Sequence, residues 1–147
     1  MPPPNRTTRQ TILESIGAVA SDLLADAGDD APRSIVAALA VQRFDELARY
    51  LAQLVGEIGV RALFARSVAS ARSTYPWIAA TAPSGPPWAA LRGAMERQEP
   101  RAIRDAFAGL LSTFVELLAR LIGDGLARRL LHDVWPEVFP QLPKEST

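Results

Sequence analysis

The chain has no cysteine and a single histidine, His132. The first absence excludes disulfides, thiolate metal sites and cysteine nucleophiles, and the second excludes any site built on several histidines. Lysine is nearly missing too, since Lys144 stands alone among sixteen basic residues and the rest are arginine. Sixteen acids balance them, so the formal net charge is zero. A neutral chain lacks the surplus of cations that drives phosphate neutralisation, and no nucleic-acid partner is expected. A glycine-rich phosphate loop, a G-x-S-x-G elbow and an H-E-x-x-H helix are also absent. The chain is therefore read as non-enzymatic, with no catalytic residue, metal or cofactor assigned.

Long hydrophobic runs are lacking as well. No uncharged apolar stretch reaches the roughly eighteen residues that read as a membrane span. The most apolar segment, 103–131, is broken by Arg104, Asp105, Glu116, Arg120, Asp124 and Arg128. No apolar run follows the proline-rich opening, so a signal peptide is not expected and a cytoplasmic location is. The preference for arginine over lysine, with abundant alanine, is what a high-GC bacterial genome produces.

What is present is the material of one ordinary domain: 147 residues, 48% hydrophobic and 22% charged. Residues 1–6 form a proline-rich tail. Thr7 or Thr8 can cap a first helix carrying Ile12, Ile16, Val19, Leu23 and Leu24 at helical spacing. After a break at 28–32, residues 33–74 read as one helix, or as two meeting near Gly56 and Gly59. Tyr75-Pro76-Trp77 stops that pattern, because proline disfavours the α conformation of the residue before it. A loop at 82–87, a short helix over 88–98 and a last helix over 101–133, stopped by Trp135-Pro136, complete the domain at about 139. Residues 140–147 are expected to fray. No segment alternates with period two, so the predicted fold is an all-α bundle of four to five helices. The stretch Thr8-Arg9-Gln10-Thr11-Ile12-Leu13-Glu14 resembles the first helix of TetR-type repressors. The Ala-Gly-Val-Ser turn and the later aromatic pair that would complete that likeness do not follow.

One motif occurs twice. Leu51-Ala52-Gln53-Leu54-Val55-Gly56-Glu57 matches Leu118-Ala119-Arg120-Leu121-Ile122-Gly123-Asp124 at an offset of 67 residues (124 − 57). The match runs on to Arg61 and Arg128, Leu63 and Leu130, and Phe64 and Leu131. It predicts a duplicated, pseudo-two-fold helix pair with halves at about 43–76 and 110–136. The halves end at Tyr75-Pro76 and Trp135-Pro136, where the offset has fallen to 60 (135 − 75).

Leu47, Leu51, Leu54 and Ile58 advance by four, three and four residues, a heptad-like seam whose next position is Arg61. Phe114, Leu118, Leu121 and Gly125 lead in the same way to Arg128. Each arginine has an acid one turn earlier, Glu57 or Asp124, at the spacing that favours an ion pair. Because a buried arginine needs a partner, the four residues are expected to form a structural ion-pair network or, alternatively, an anion site. Gly56 and Gly123 are expected where the two long helices cross. Tyr75, Trp77, Trp88 and Trp135 either plug the ends of the bundle or rim a pocket or groove. His132 is expected to complement the dipole at the end of the last helix. The apolar residues on several sides of that helix point to a homodimeric regulatory or protein-interaction module. The alternative is a binder of small molecules or anions, with a pocket lined by the paired arginines and the tryptophans.

Overall fold

The computed structural model describes residues 19–78 and 87–136, with the backbone alone at 87–90. Both tails, the Thr7/Thr8 cap, the 82–86 part of the loop and the Trp88 side chain lie outside the described residues. Everything regular within them is helical. A helical stretch from 19 to 23 and a 3-10 turn, Ala25–Ala27, lead into α1, Arg33–Ala71. Then come α2, Pro87–Met95, α3, Pro100–Ile122, and α4, Asp124–Val134. α1 packs against each of the other helices and so occupies the centre. No helix of the described residues is long and apolar enough to cross a membrane.

The long helix α1 is not straight. Gly56 has φ 82° and ψ 160°, a region that residues with a Cβ essentially never occupy. Phe44 and Phe64 are twenty positions apart (64 − 44), about 30 Å along an unbroken helix. Their ring centroids nevertheless lie 5.4 Å apart. Gly56 therefore folds α1 into a hairpin, with a first arm at 33–55 and a second arm at 57–71. Of the two readings open to 33–74, two helices is the observed one.

The single last helix expected over 101–133 is corrected in the same way. Gly123, at φ 95° and ψ 152°, separates α3 from α4. Both glycines are followed at once by an acid, Glu57 or Asp124, in the first turn of a new helix. A negative charge there faces unpaired N–H groups and the positive end of the helix dipole. The Gly-acid pair in the twice-used motif is thus a stop followed by a start.

The core is aromatic at its centre. Phe44 meets Phe64 and Phe107 edge-on at 5.4 Å and Phe114 at 6.3 Å. All four rings are buried. Several elements and buried positions beyond the motif also stand 67 residues apart. α1 and α3 begin at Arg33 and Pro100 and meet their glycines at 56 and 123. Buried positions pair off as Val36 with Ile103, Ala40 with Phe107, Phe44 with Leu111, Leu47 with Phe114 and Leu51 with Leu118. Past the glycines the pairs are Val60 with Ala127, Leu63 with Leu130, Phe64 with Leu131 and Val68 with Trp135. The drop to an offset of 60 at the aromatic-proline stops is therefore not a feature of the packing, because Trp135 occupies the register of Val68.

Candidate functional site

The buried arginine seam does not form. Arg61 and Glu57 are exposed, while Arg128 and Asp124 are half-buried. A continuous seam requires helical phase to carry through the glycines. Each bend resets it, so the buried stripe of the second arm runs Val60, Leu63, Phe64, Val68 and passes Arg61 by. No ion pair joins Glu57 to Arg61 among the described residues. Gly56 and Gly123 are not points of close helix crossing either. A Cβ at either would meet nothing within 4 Å, so glycine is required there by the backbone angles and not by space.

The aromatic residues divide between two places. Tyr75 and Trp77, both half-buried, contact each other edge-on at 6.5 Å. Tyr75 donates its hydroxyl to the carbonyl of Asp105 at 3.1 Å and lies against α3 at Gly109. A Cβ on Gly109 would come within 2.8 Å of the Tyr75 ring, so this glycine is set by close approach. Trp135 is only 5% exposed and sits elsewhere, in a polar cleft of about 590 Å³.

That cleft is formed by the end of the first helical stretch, the first arm of α1 and the residues closing α4. Arg43 organises it. Its Nε donates to the Leu23 carbonyl at 3.0 Å, and its terminal nitrogens reach Asp26 at 3.2 Å and Glu46 at 3.1 Å. Arg104 of α3 donates to the Gly28 carbonyl at 2.6 Å, so two arginines satisfy carbonyls where the leading helical stretch ends. Glu46 also accepts from Trp135 Nε1 at 3.0 Å. Burial pushes the Glu46 carboxyl up, but the hydrogen bonds from Trp135, Arg43 and Gln42 outweigh it. With the Arg43 charge, they hold the group below its ordinary value of 4.5. Tyr50 donates to Asp133 at 3.0 Å, and this bond to a carboxylate raises the phenol above its ordinary value of 10.0. A carboxylate so stabilised is a weak base, and a phenol so held is a weak acid. The cleft ties the end of α4 to α1.

Sequence reasoning missed Arg43 and Glu46. Their spacing of three marks an ordinary surface pair, and nothing local reveals that Trp135, eighty-nine positions away, completes it. His132, half-buried in the last turn of α4, stands where the sequence placed it. Among the described residues no group of three or more potential ligands is arranged to hold a metal ion.

A second groove, of about 380 Å³, runs between the second arm of α1 and the end of α3. Gly59, Ala62, Leu63 and Arg66 line one side, and Leu117, Arg120 and Leu121 the other. The offset of 67 carries Tyr50 to Leu117 (50 + 67) and Asp133 to Arg66 (133 − 67). The hydrogen-bonded pair of the polar cleft therefore corresponds to a leucine and an arginine in this groove.

Five large apolar side chains are exposed among the described residues, and four flank the two bends: Leu54 (56%), Ile58 (85%), Leu121 (60%) and Leu126 (44%). The bends lie at one end of the molecule. Gly59, three residues past the first bend, and Leu121, two before the second, line the same groove. An apolar surface interspersed with Glu57, Arg61, Asp124 and Arg128 results.

Comparison with family models, with curated proteins and with solved structures returns no match.

Proposed function

We propose that the chain is a non-enzymatic helical interaction module, built on a duplicated helix pair, that acts as a homodimer through the end carrying its two bends. The observation behind this reading is the concentration of exposed apolar side chains there, Leu54 and Ile58 beside Gly56, Leu121 and Leu126 beside Gly123. Aliphatic groups left in water at one end mark a surface meant to be covered. Charge favours a second copy as the cover. Glu57 and Arg61 are exposed just past the first bend, and Arg120 and Arg128 stand either side of the second in sequence, with the acid Asp124 between them. A copy turned about a two-fold axis can set each acid against an arginine. The common start, the matching glycines and the shared burial register of α1 and α3–α4 support the duplication.

The test is the mass of the protein in solution. Sedimentation equilibrium should give twice the 15.9 kDa of one chain. The double variant Leu54→Glu, Leu121→Glu should fall to one chain with an unchanged circular dichroism spectrum. A wild-type protein that stays at the mass of one chain as its concentration is raised sinks the proposal.

A further inference from the structure

The residues around Gly56 fit two conformations, and the second explains what the first leaves exposed. Leu47, Leu51, Leu54 and Ile58 make a continuous apolar stripe only if the helix is unbroken. In the bent chain the stripe is cut. Leu47 and Leu51 are fully buried, while Leu54 and Ile58 lie in solvent. The bend depends on one residue, because Gly56 alone in Arg33–Ala71 has non-helical angles. Glycine is also allowed in the α region, so rotation there turns the hairpin into a single helix of 39 residues. Straightening carries the Phe64 side of the second arm away from Phe44. A second copy that has opened in the same way offers the identical contacts.

We propose that the homodimer inferred above is arm-exchanged: each chain straightens at Gly56, and residues 19–55 of one copy pack on the second arm, α3 and α4 of the other. The contacts of Phe44 with Phe64, Phe107 and Phe114, and the bonds Trp135–Glu46 and Tyr50–Asp133, then form between copies. Leu54 and Ile58 are covered where the two straightened helices run side by side. Interface size favours this form. Four exposed aliphatic side chains alone fall short of the roughly 800 Å² that each partner of a stable pair buries. Exchange reuses the molecule's own core and meets that need. Gly56 is the hinge and Gly123 is not, because beyond Gly123 the corresponding stripe meets Gly125 and Arg128 and has no apolar continuation. A hinge with no linker residues is the arrangement that invites exchange of elements between copies.

The absence of cysteine permits clean labelling. Gln42 and Ala65 are exposed, one on each arm, near Phe44 and Phe64. Spin labels on Gln42→Cys and Ala65→Cys are close together across a bent hairpin but about 35 Å apart on a straight helix. The labelled chain is refolded with a large excess of unlabelled chain, and the dimer fraction is measured by pulsed electron paramagnetic resonance. In an arm-exchanged dimer the short distance lies between copies, so dilution removes it and leaves the long one. A short distance that survives dilution within a dimer overturns arm exchange and leaves the homodimer standing. A protein that is monomeric throughout overturns both. Gly56→Ala, which disfavours the bend, should raise the dimer-to-monomer ratio roughly tenfold. A soluble Gly56→Ala monomer that keeps the short distance also counts against the proposal. If that variant does not fold, the wild-type dilution series decides alone.

Discussion

Individual side chains here matter by where the bends put them, and Arg61 is the clearest case. On an unbroken helix it would sit on the apolar seam, and its replacement would strand a buried acid. Exposed as it is, Arg61→Leu should change unfolding free energy by no more than about 0.5 kcal/mol, the range of surface sites, in urea melts. Glu46 shows the opposite. Burial disfavours its charge, but Trp135, Arg43 and Gln42 more than compensate, so its folded-state value lies below the ordinary 4.5. A lowered value means that the folded state binds the proton less readily than the unfolded state does. The contribution is therefore present above the ordinary value and is lost as pH falls through the folded one. Trp135→Phe removes one of the lowering bonds. It should destabilise at neutral pH, by about 1 kcal/mol for the hydrogen bond, and the gap to wild type should narrow below pH 4.5. Melts at a series of pH values that stay parallel would remove Glu46 from the explanation. Of these two residues only Arg61 was singled out in the sequence, and for the wrong environment. Glu46 was invisible because its decisive partner comes from the far end of the chain.

At the level of elements, the helices themselves were legible. Periodic leucines, proline at the start of α3 and the Tyr75-Pro76 stop mark α1 and α3 from sequence alone. The repeated motif was legible as well, but its meaning was not. A glycine inside an apolar periodic run reads equally well as a packing contact, a weak point or a break. Only the angles at Gly56 and Gly123 decide among these. Once they are known, Glu57 and Asp124 become helix-start acids, and Glu57 ceases to be a partner for a buried arginine. Gly123 carries a testable consequence. Its angles are closed to alanine, and no neighbour would collide with the added methyl, so any loss reports backbone strain alone. Gly123→Ala should cost about 1–3 kcal/mol. D-Alanine at the same position, introduced by chemical ligation, should restore most of it, because positive φ suits the mirror-image residue. Equal losses for both enantiomers would show that strain is not the cause.

At the scale of the whole molecule, the first arm meets α3 through the phenylalanine cluster and α4 through the polar cleft, while the second arm meets the end of α3. Two grooves and one apolar end follow from that arrangement. The polar groups of the cleft bond to one another, whereas nothing among the described residues covers Leu54, Ile58, Leu121 and Leu126. If a second copy covers them, folding and association are linked, and stability must depend on concentration. A species that binds only the folded state raises its stability by RT ln(1 + [L]/Kd), and here the ligand is the protein itself. Each tenfold rise in concentration well above the dissociation constant then adds about 1.4 kcal/mol per bound partner. The midpoint of thermal unfolding should therefore climb with protein concentration. The Leu54→Glu, Leu121→Glu variant should melt at one temperature whatever its concentration. Because both replacements fall on exposed positions, its melting point should match that of dilute wild type and not lie far below it. A wild-type midpoint that does not move with concentration would leave the chain a monomer with an apolar end.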